Sequence, residues 1–301
     1  MRPRFQWRIG ARTLALGERT HIMGVINVTP DSFYDGGRYL DSQPAVDHAL
    51  RLLDEGADLV DIGGESTRPG ARVAAASSGK SSNEQTVVTA EEEMHRVLPV
   101  VRELKRLRPE AIVSVDTYKS VVARAAVESG AEVINDISGL RWDQDMASTL
   151  AGLSCGAVLM HVRGRPEEWR SLPPLHDPVS LVSRELLGQV EGATAAGIAR
   201  ERIVLDPGFG FGKNYEENYP LLAHFDELHK LGFPLLAGVS RKSFVGKAVA
   251  RGGQPFPAEE RLFGSLAAAV IAIVKGAHIV RVHDVRATVE AAALADAVLD
   301  A

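Results

Sequence analysis

Four stretches of the chain share one grammar: Glu55-Gly56-Ala57-Asp58-Leu59-Val60-Asp61-Ile62, Ser129-Gly130-Ala131-Glu132-Val133-Ile134-Asn135-Asp136, Cys155-Gly156-Ala157-Val158-Leu159-Met160-His161 and Lys275-Gly276-Ala277-His278-Ile279-Val280-Arg281-Val282. A glycine just past a helix takes the left-handed cap conformation cheaply, and the short apolar run behind it reads as a strand buried on both faces. Each stretch is therefore read as helix end, cap and buried parallel strand. Walking outward with this template predicts strands near residues 21–28, 58–63, 111–116, 132–137, 156–161, 202–206, 234–240 and 278–283, each followed by a helical stretch. That is the unit count of an α/β (β/α)8 TIM barrel, the expected fold class; an open doubly wound sheet also alternates strands and helices but rarely needs so many equal units.

The helices carry matching signals. Thr89 with Glu92 three residues on forms a capping-box pattern, after which Met94, Val97, Leu98, Val101 and Leu104 recur at helical spacing. Beyond Pro257, the residues Leu262, Leu266, Ala269, Val270 and Ile273 fall on one face of a helix that stops at Gly276. Residues 5–16 alternate around Gly10-Ala11 and predict a hairpin within residues 1–20 that closes the barrel bottom. Residues 71–88, rich in Ala, Ser and Gly without periodicity, predict an extended mobile loop after the second barrel strand. No compositional break divides the 301 residues, so a single domain over 1–301 is expected.

Composition narrows the function classes. The chain is 45% hydrophobic and 24% charged, a globular balance. Its 34 basic and 39 acidic side chains leave a net charge of -5, the opposite of the footprint that a nucleic-acid backbone requires. One cysteine, Cys155, excludes an intrachain disulfide and fits a reducing cytoplasm. The apolar run 266–274 is too short to cross a bilayer, and the first residues lack a signal-peptide core, so a cytoplasmic protein with no membrane partner is expected.

In such a barrel the C-terminal strand ends converge on one mouth. The groups there are Asn27, Asp61, Asp116, Asn135, His161, Asp206, the Ser240-Arg241-Lys242-Ser243 run, Arg281 and His283. Singly, Asp116 or Asp206 is what helix capping predicts, and His161 or His283 reads as an ordinary core or loop histidine. Together they are costly to desolvate unless something pairs with them. Asp116, Asn135, Asp206 and Lys242 suit the edge of a heterocycle, whereas Arg68, Arg281 and His283 offer positive charge suited to a phosphate or diphosphate. The segment Asp206-Pro207-Gly208-Phe209-Gly210-Phe211-Gly212-Lys213 fits neither a Walker loop nor a dinucleotide fingerprint. It reads either as a flexible turn or as backbone approaching a ligand, with Phe211 as an aromatic wall.

These residues resemble the dihydropteroate synthase family. The resemblance lies in Asn27-Val28-Thr29-Pro30-Asp31-Ser32-Phe33, Asp61-Ile62-Gly63-Gly64-Glu65-Ser66-Thr67-Arg68-Pro69-Gly70, Ser114-Val115-Asp116-Thr117, Ile134-Asn135-Asp136-Ile137-Ser138-Gly139, Leu159-Met160-His161, the 206–213 segment, Ser240-Arg241-Lys242-Ser243 and Arg281-Val282-His283-Asp284-Val285. It implies a barrel enzyme that joins (7,8-dihydropterin-6-yl)methyl diphosphate to 4-aminobenzoate, forming 7,8-dihydropteroate. It further implies that Asp116, Asn135, Met160, Asp206 and Lys242 bind the pterin, and that Thr67, Arg68, Arg281 and His283 hold the diphosphate. By the same resemblance Asn27 ligates Mg2+, and Thr67, Pro69, Phe211, Arg241 and Ser243 shape the aminobenzoate pocket. A homodimer through late helices is also implied. The 71–88 segment is longer than the family usually carries and reads more readily as a tolerated surface insertion than as one that slows loop closure or alters sulfonamide access, since loop length costs little free energy; Tyr34 and Tyr118 depart from the family's commoner residues. Two rivals stand beside this reading: a pterin-binding methyltransferase module, which has no use for a diphosphate clamp, and a catalytically silent pterin-binding paralogue.

Overall fold

The computed structural model describes residues 2–28, 42–66, 73 and 87–301. A hairpin of β1 (Phe5–Ile9) and β2 (Arg12–Leu16) precedes the parallel strands β3 (His21–Asn27), β4 (Leu59–Gly63), β5 (Ile112–Asp116), β6 (Val133–Asp136), β7 (Gly156–Met160), β8 (Ile203–Asp206), β9 (Leu236–Ala237) and β10 (Ile279–Val282). Helices α1 (Gln43–Asp54), α2 (Ala90–Leu107), α3 (Ser120–Glu128), α4 (Met146–Gly152), α5 (Pro178–Ala195), α6 (Tyr215–Ala223), α7 (Ser243–Ala248), α8 (Leu262–Val274) and α9 (Val285–Leu299) alternate with them. The sheet runs β8-β7-β6-β5-β4-β3-β10-β9, and a parallel bridge between Leu205 and Leu235 joins its two ends into a barrel. The expected eight-stranded barrel is thus the observed fold; the seventh predicted strand, 234–240, shrinks to two residues because the chain turns early into the Ser240–Ser243 run.

Three of the four glycines read as helix caps behave so: Gly56, Gly130 and Gly276 have φ of 103°, 111° and 96°. Gly156 does not. It opens β7, and its smallness answers a packing demand, since a Cβ there would stand 2.6 Å from Ile9 Cγ2 and 3.0 Å from Trp7 Cζ2. The hairpin does close the barrel bottom. Trp7, Ile9 and Leu16 are buried against Met23, Leu59, Val133, Val158, Val204, Leu236 and Ile279, and the Trp7 indole N–H donates to the Arg202 carbonyl at 2.9 Å. His278 completes this end. Its Nδ1 accepts from Leu235 N–H at 3.0 Å and its Nε2 bonds the Pro3 carbonyl at 2.9 Å, while burial holds its pKa down at about 3, so it is neutral.

Thr89 caps α2 as expected by accepting from Glu92 N–H at 3.1 Å, although the Glu92 carboxylate turns to Arg96 instead of completing the box. On α8 the buried face is Ser265, Ala268, Ala269, Ala272 and Ile273; Leu262, Leu266 and Val270 from the expected face are only partly buried. Small residues bring α8 close to its neighbours, which a period count weighted by hydrophobicity does not reveal. Among the described residues no helix is long and apolar enough to cross a membrane. The 71–88 segment, apart from 73, 87 and 88, lies outside the described residues, as does Tyr34.

Candidate active site

Strand alternation builds the site. Side chains two residues apart share a face, so each residue two beyond the apolar bottom layer also points inward. Leu59 is followed by Asp61, Ile112 by Ser114, Val133 by Asn135, Val158 by Met160, Val204 by Asp206, Leu236 by Gly238 and Ile279 by Arg281. One step along the axis turns the barrel interior from hydrocarbon into a largely polar ring, interrupted by Met160 and Gly238.

Asp61 is the centre of that ring and has no exposed surface. Its Oδ1 accepts from Ser114 Oγ at 2.6 Å, and its Oδ2 from Asn135 Nδ2 at 2.9 Å and from Arg281 Nε at 2.6 Å. Arg281 reaches a second carboxylate, Asp116 Oδ2, through its NH2 group at 2.9 Å. Burial opposes the guanidinium charge, but Asp61 and Asp116 outweigh it and raise the Arg281 pKa. Burial pushes Asp116 up to about 7 against the pull of Arg281, with the Asp61 charge acting in the same direction as burial. The groups expected to read a heterocycle and those expected to hold an anion are therefore in direct contact at Asp116 and Arg281, where their chemistry alone suggested two separate clusters.

Asp206, at the end of β8, accepts Gly208 N–H at 2.7 Å; burial raises its pKa, opposed by that bond and by Lys242, Lys213 and Arg281. The Lys242 ammonium lies 4.0 Å from the centroid of Phe211, and burial together with Arg281 lowers its pKa to about 8. Met160 and Phe211 join an apolar lip with Val73, Tyr118, Ile137, Trp142, Val162 and Trp169. Ser243 is the first residue of α7. Arg241 takes a left-handed backbone (φ 57°), and its side chain forks onto Asp284, Nε at 3.1 Å and NH2 at 2.6 Å.

Asn27, His283, Arg241 and Asp284 line a cavity of about 490 Å³ between the end of β3, the end of β10 and α1. His283 Nδ1 bonds Ser240 Oγ at 3.0 Å. Burial, reinforced by Arg281, Arg241 and Lys242, drives its pKa to about 3, so the expected positive charge at His283 is corrected to a neutral, hydrogen-bonding imidazole. Thr67, Arg68 and Pro69 lie outside the described residues. The root of their segment is described: Glu65 meets Lys119 Nζ at 2.6 Å, and Lys119 also pairs with the buried Glu93.

Asp61 was visible as a strand-end carboxylate but had no assigned part; it is the shared acceptor of three donors. Trp169, which stands edge-on to Phe211 at 5.4 Å, was not singled out, and Ser240 entered only as a member of the 240–243 run. Trp169 falls in an irregular segment with no periodic signal, so no sequence pattern could have placed it at the mouth.

The family described as "Pterin binding enzyme" matches residues 23–283, and the chain, a parallel barrel with polar groups gathered at its strand C-termini, belongs to that family. Within it, the chain is a dihydropteroate synthase-type transferase of folate synthesis. It is 44% identical over 281 residues to the dihydropteroate synthase of Escherichia coli K12, covering 93% of this chain and 92% of that one. The Xanthomonas albilineans dihydropteroate synthase with 4-aminobenzoic acid superposes with a TM-score of 0.85 at 43% identity over 100% of both chains. That enzyme in complex with 7,8-dihydropteroate gives 0.80 at 41% identity, over 95% and 97%.

Proposed function

We propose that the chain condenses (7,8-dihydropterin-6-yl)methyl diphosphate with 4-aminobenzoate, releasing 7,8-dihydropteroate and diphosphate by a dissociative substitution. The observation that carries this is the Arg281 fork, which touches Asp116 and Asp61 at 2.9 and 2.6 Å and so joins ring recognition to anion recognition at one point. Asp116, Asn135 and Asp206 offer acceptors to the donor-rich pterin edge, Lys242 a donor, and Met160 an apolar face. Arg281 and His283, with Thr67 and Arg68, hold the diphosphate. Phe211, Arg241 and Ser243, with Thr67 and Pro69, shape the aminobenzoate pocket.

The arylamine is already a neutral nucleophile at pH 7, so the demanding step is departure of diphosphate from carbon. Arg281 aims fixed positive charge at the departing oxygens, and His283 adds a hydrogen-bonding imidazole. The electron-rich dihydropterin delocalises the cation left behind, and the carboxylates of Asp116 and Asp206 stabilise it. The Mg2+ expected at Asn27 fits the donor chemistry there, because a single amide oxygen at the cavity rim suits an ion that arrives with substrate phosphates. When bound, Mg2+ supplies further charge to the leaving diphosphate.

The test is incubation of the purified chain with the pterin diphosphate, 4-aminobenzoate and Mg2+, with chromatography for dihydropteroate. Product that disappears on chelation supports the whole proposal; intact pterin binding without product favours the silent paralogue. Asp206→Asn removes a charged acceptor and is expected to weaken pterin binding by about 2 kcal/mol, roughly 30-fold; calorimetry showing wild-type affinity removes Asp206 from the site. We place the enzyme in the cytoplasm as a homodimer. Phe263 on α8 and Leu294 and Val298 on α9 are 82%, 70% and 65% exposed, an apolar surface that a second copy would cover. Sedimentation velocity is expected to show a dimer that Leu294→Glu weakens; a wild-type monomer at micromolar concentration counts against it.

A further inference from the structure

Lys213 closes the 206–213 segment and has no part in the site described above, yet only 7% of it is exposed. Its ammonium donates to the carbonyls of Gly208 at 2.8 Å, Phe211 at 3.3 Å and His161 at 3.4 Å, which uses all three of its N–H bonds. It makes no salt bridge among the described residues. A buried ammonium held only by carbonyls is costly, and an apolar side chain would fill the space more cheaply. The charge therefore has another use.

The three carbonyls belong to two segments that must stay together. His161 directly follows β7, and Gly208 and Phe211 lie in the loop after β8. Gly208 sits so tightly on β7 (φ 66°) that a Cβ would come within 1.9 Å of the His161 carbonyl oxygen. The two segments are joined again by His161 N–H donating to Asp206 O at 2.8 Å. The loop then presents two groups to the mouth: the Asp206 carboxylate, oriented by Gly208 N–H, and the Phe211 ring, set between Lys242 and Trp169.

We infer that Lys213 is a positioning residue of the pterin site: its ammonium locks the 206–213 loop against β7, so that Asp206 and Phe211 face the ring, and it balances the Asp206 charge from behind. The inference deepens the function proposed above and rests on it for the identity of the ring. Asp206 and Glu185 favour the Lys213 charge, Arg163 and Lys242 oppose it, and burial, the largest influence, brings its pKa down to about 7. Lys213 in turn favours ionised Asp206.

The test is a pH titration of the Asp206 carboxyl by carbon-13 NMR in ligand-free protein, assigned with Asp206→Asn, in wild type and in Lys213→Met. The midpoint is expected to rise by about one pH unit in Lys213→Met, and affinity for the pterin diphosphate without aminobenzoate to fall on the order of tenfold or more. Lys213→Arg, which keeps the charge, is expected to return the midpoint toward wild type. An unmoved midpoint with unchanged affinity in folded Lys213→Met overturns the inference. If Lys213→Met does not fold, the same titration in Lys213→Gln decides: a raised midpoint supports the inference, and an unmoved one overturns it. The titration involves no turnover, so a failure of the synthase reaction is seen separately in the product assay.

Discussion

Replacing Arg281 by methionine is expected to cost about 3–5 kcal/mol of folding stability, the usual result when one partner of a buried charge cluster is removed. Asp61 has no exposed surface, and the Ser114 and Asn135 donors that remain are neutral. The loss has a pH signature. Asp116 has its pKa raised toward 7 in the folded protein even with Arg281 present, so without the guanidinium its charged form is disfavoured further. A carboxyl with a raised folded pKa withdraws stability as pH rises through the interval above its unfolded value. The deficit of Arg281→Met relative to wild type should therefore be larger at pH 8 than at pH 5.5 in urea unfolding. A deficit below 1 kcal/mol, or one that shrinks as pH rises, contradicts the assignment of Arg281 as the bridge. Dihydropteroate formation should fall by about three orders of magnitude, in the range seen for loss of a transition-state donor. Arg281→Lys should recover little of it, because one ammonium cannot reproduce a fork that spans two carboxylates.

The second large effect lies at the opposite end of the barrel. Trp7→Ala should destabilise the protein by about 3–5 kcal/mol, since the indole is fully buried beneath Gly156 and its loss leaves a cavity and an orphaned Arg202 carbonyl. Turnover per folded molecule at 20 °C should stay near wild type, because the apolar layer from Met23 to Ile279 separates the plug from the polar ring. Chemical denaturation measures the first expectation and the product assay the second. A folded Trp7→Ala protein with strongly reduced turnover would show that the floor transmits strain to the mouth.

The barrel was legible because its signals are local. Gly56, Gly130 and Gly276 end helices with a conformation that glycine adopts cheaply, and the apolar runs behind them are too uniform to be half-exposed strands. The same uniformity concealed how the strand-end groups pair with one another. A strand buried on both faces carries no alternation to mark its inner side, so neither Asp61, at the strand end, nor Asp58, at its start, could be given a partner from the sequence. One of them accepts Arg281; the other, at the outer bottom edge, accepts Ile22 N–H and pairs with Arg19.

From the order of its residues alone, the chain determined its eight strand-and-helix units, the hairpin beneath them and the set of polar groups at the strand ends, since backbone propensity, capping and apolar periodicity act within a few residues. Only the closed barrel decided which of those groups share charge. The Arg281 contacts with Asp61 and Asp116 span 220 and 165 residues of sequence, Gly156 is small because Trp7 and Ile9 come from the far N-terminus, and His283 is neutral because it is buried and three cations converge on it. Desolvation and Coulomb interactions depend on distance in space, and no local pattern encodes them.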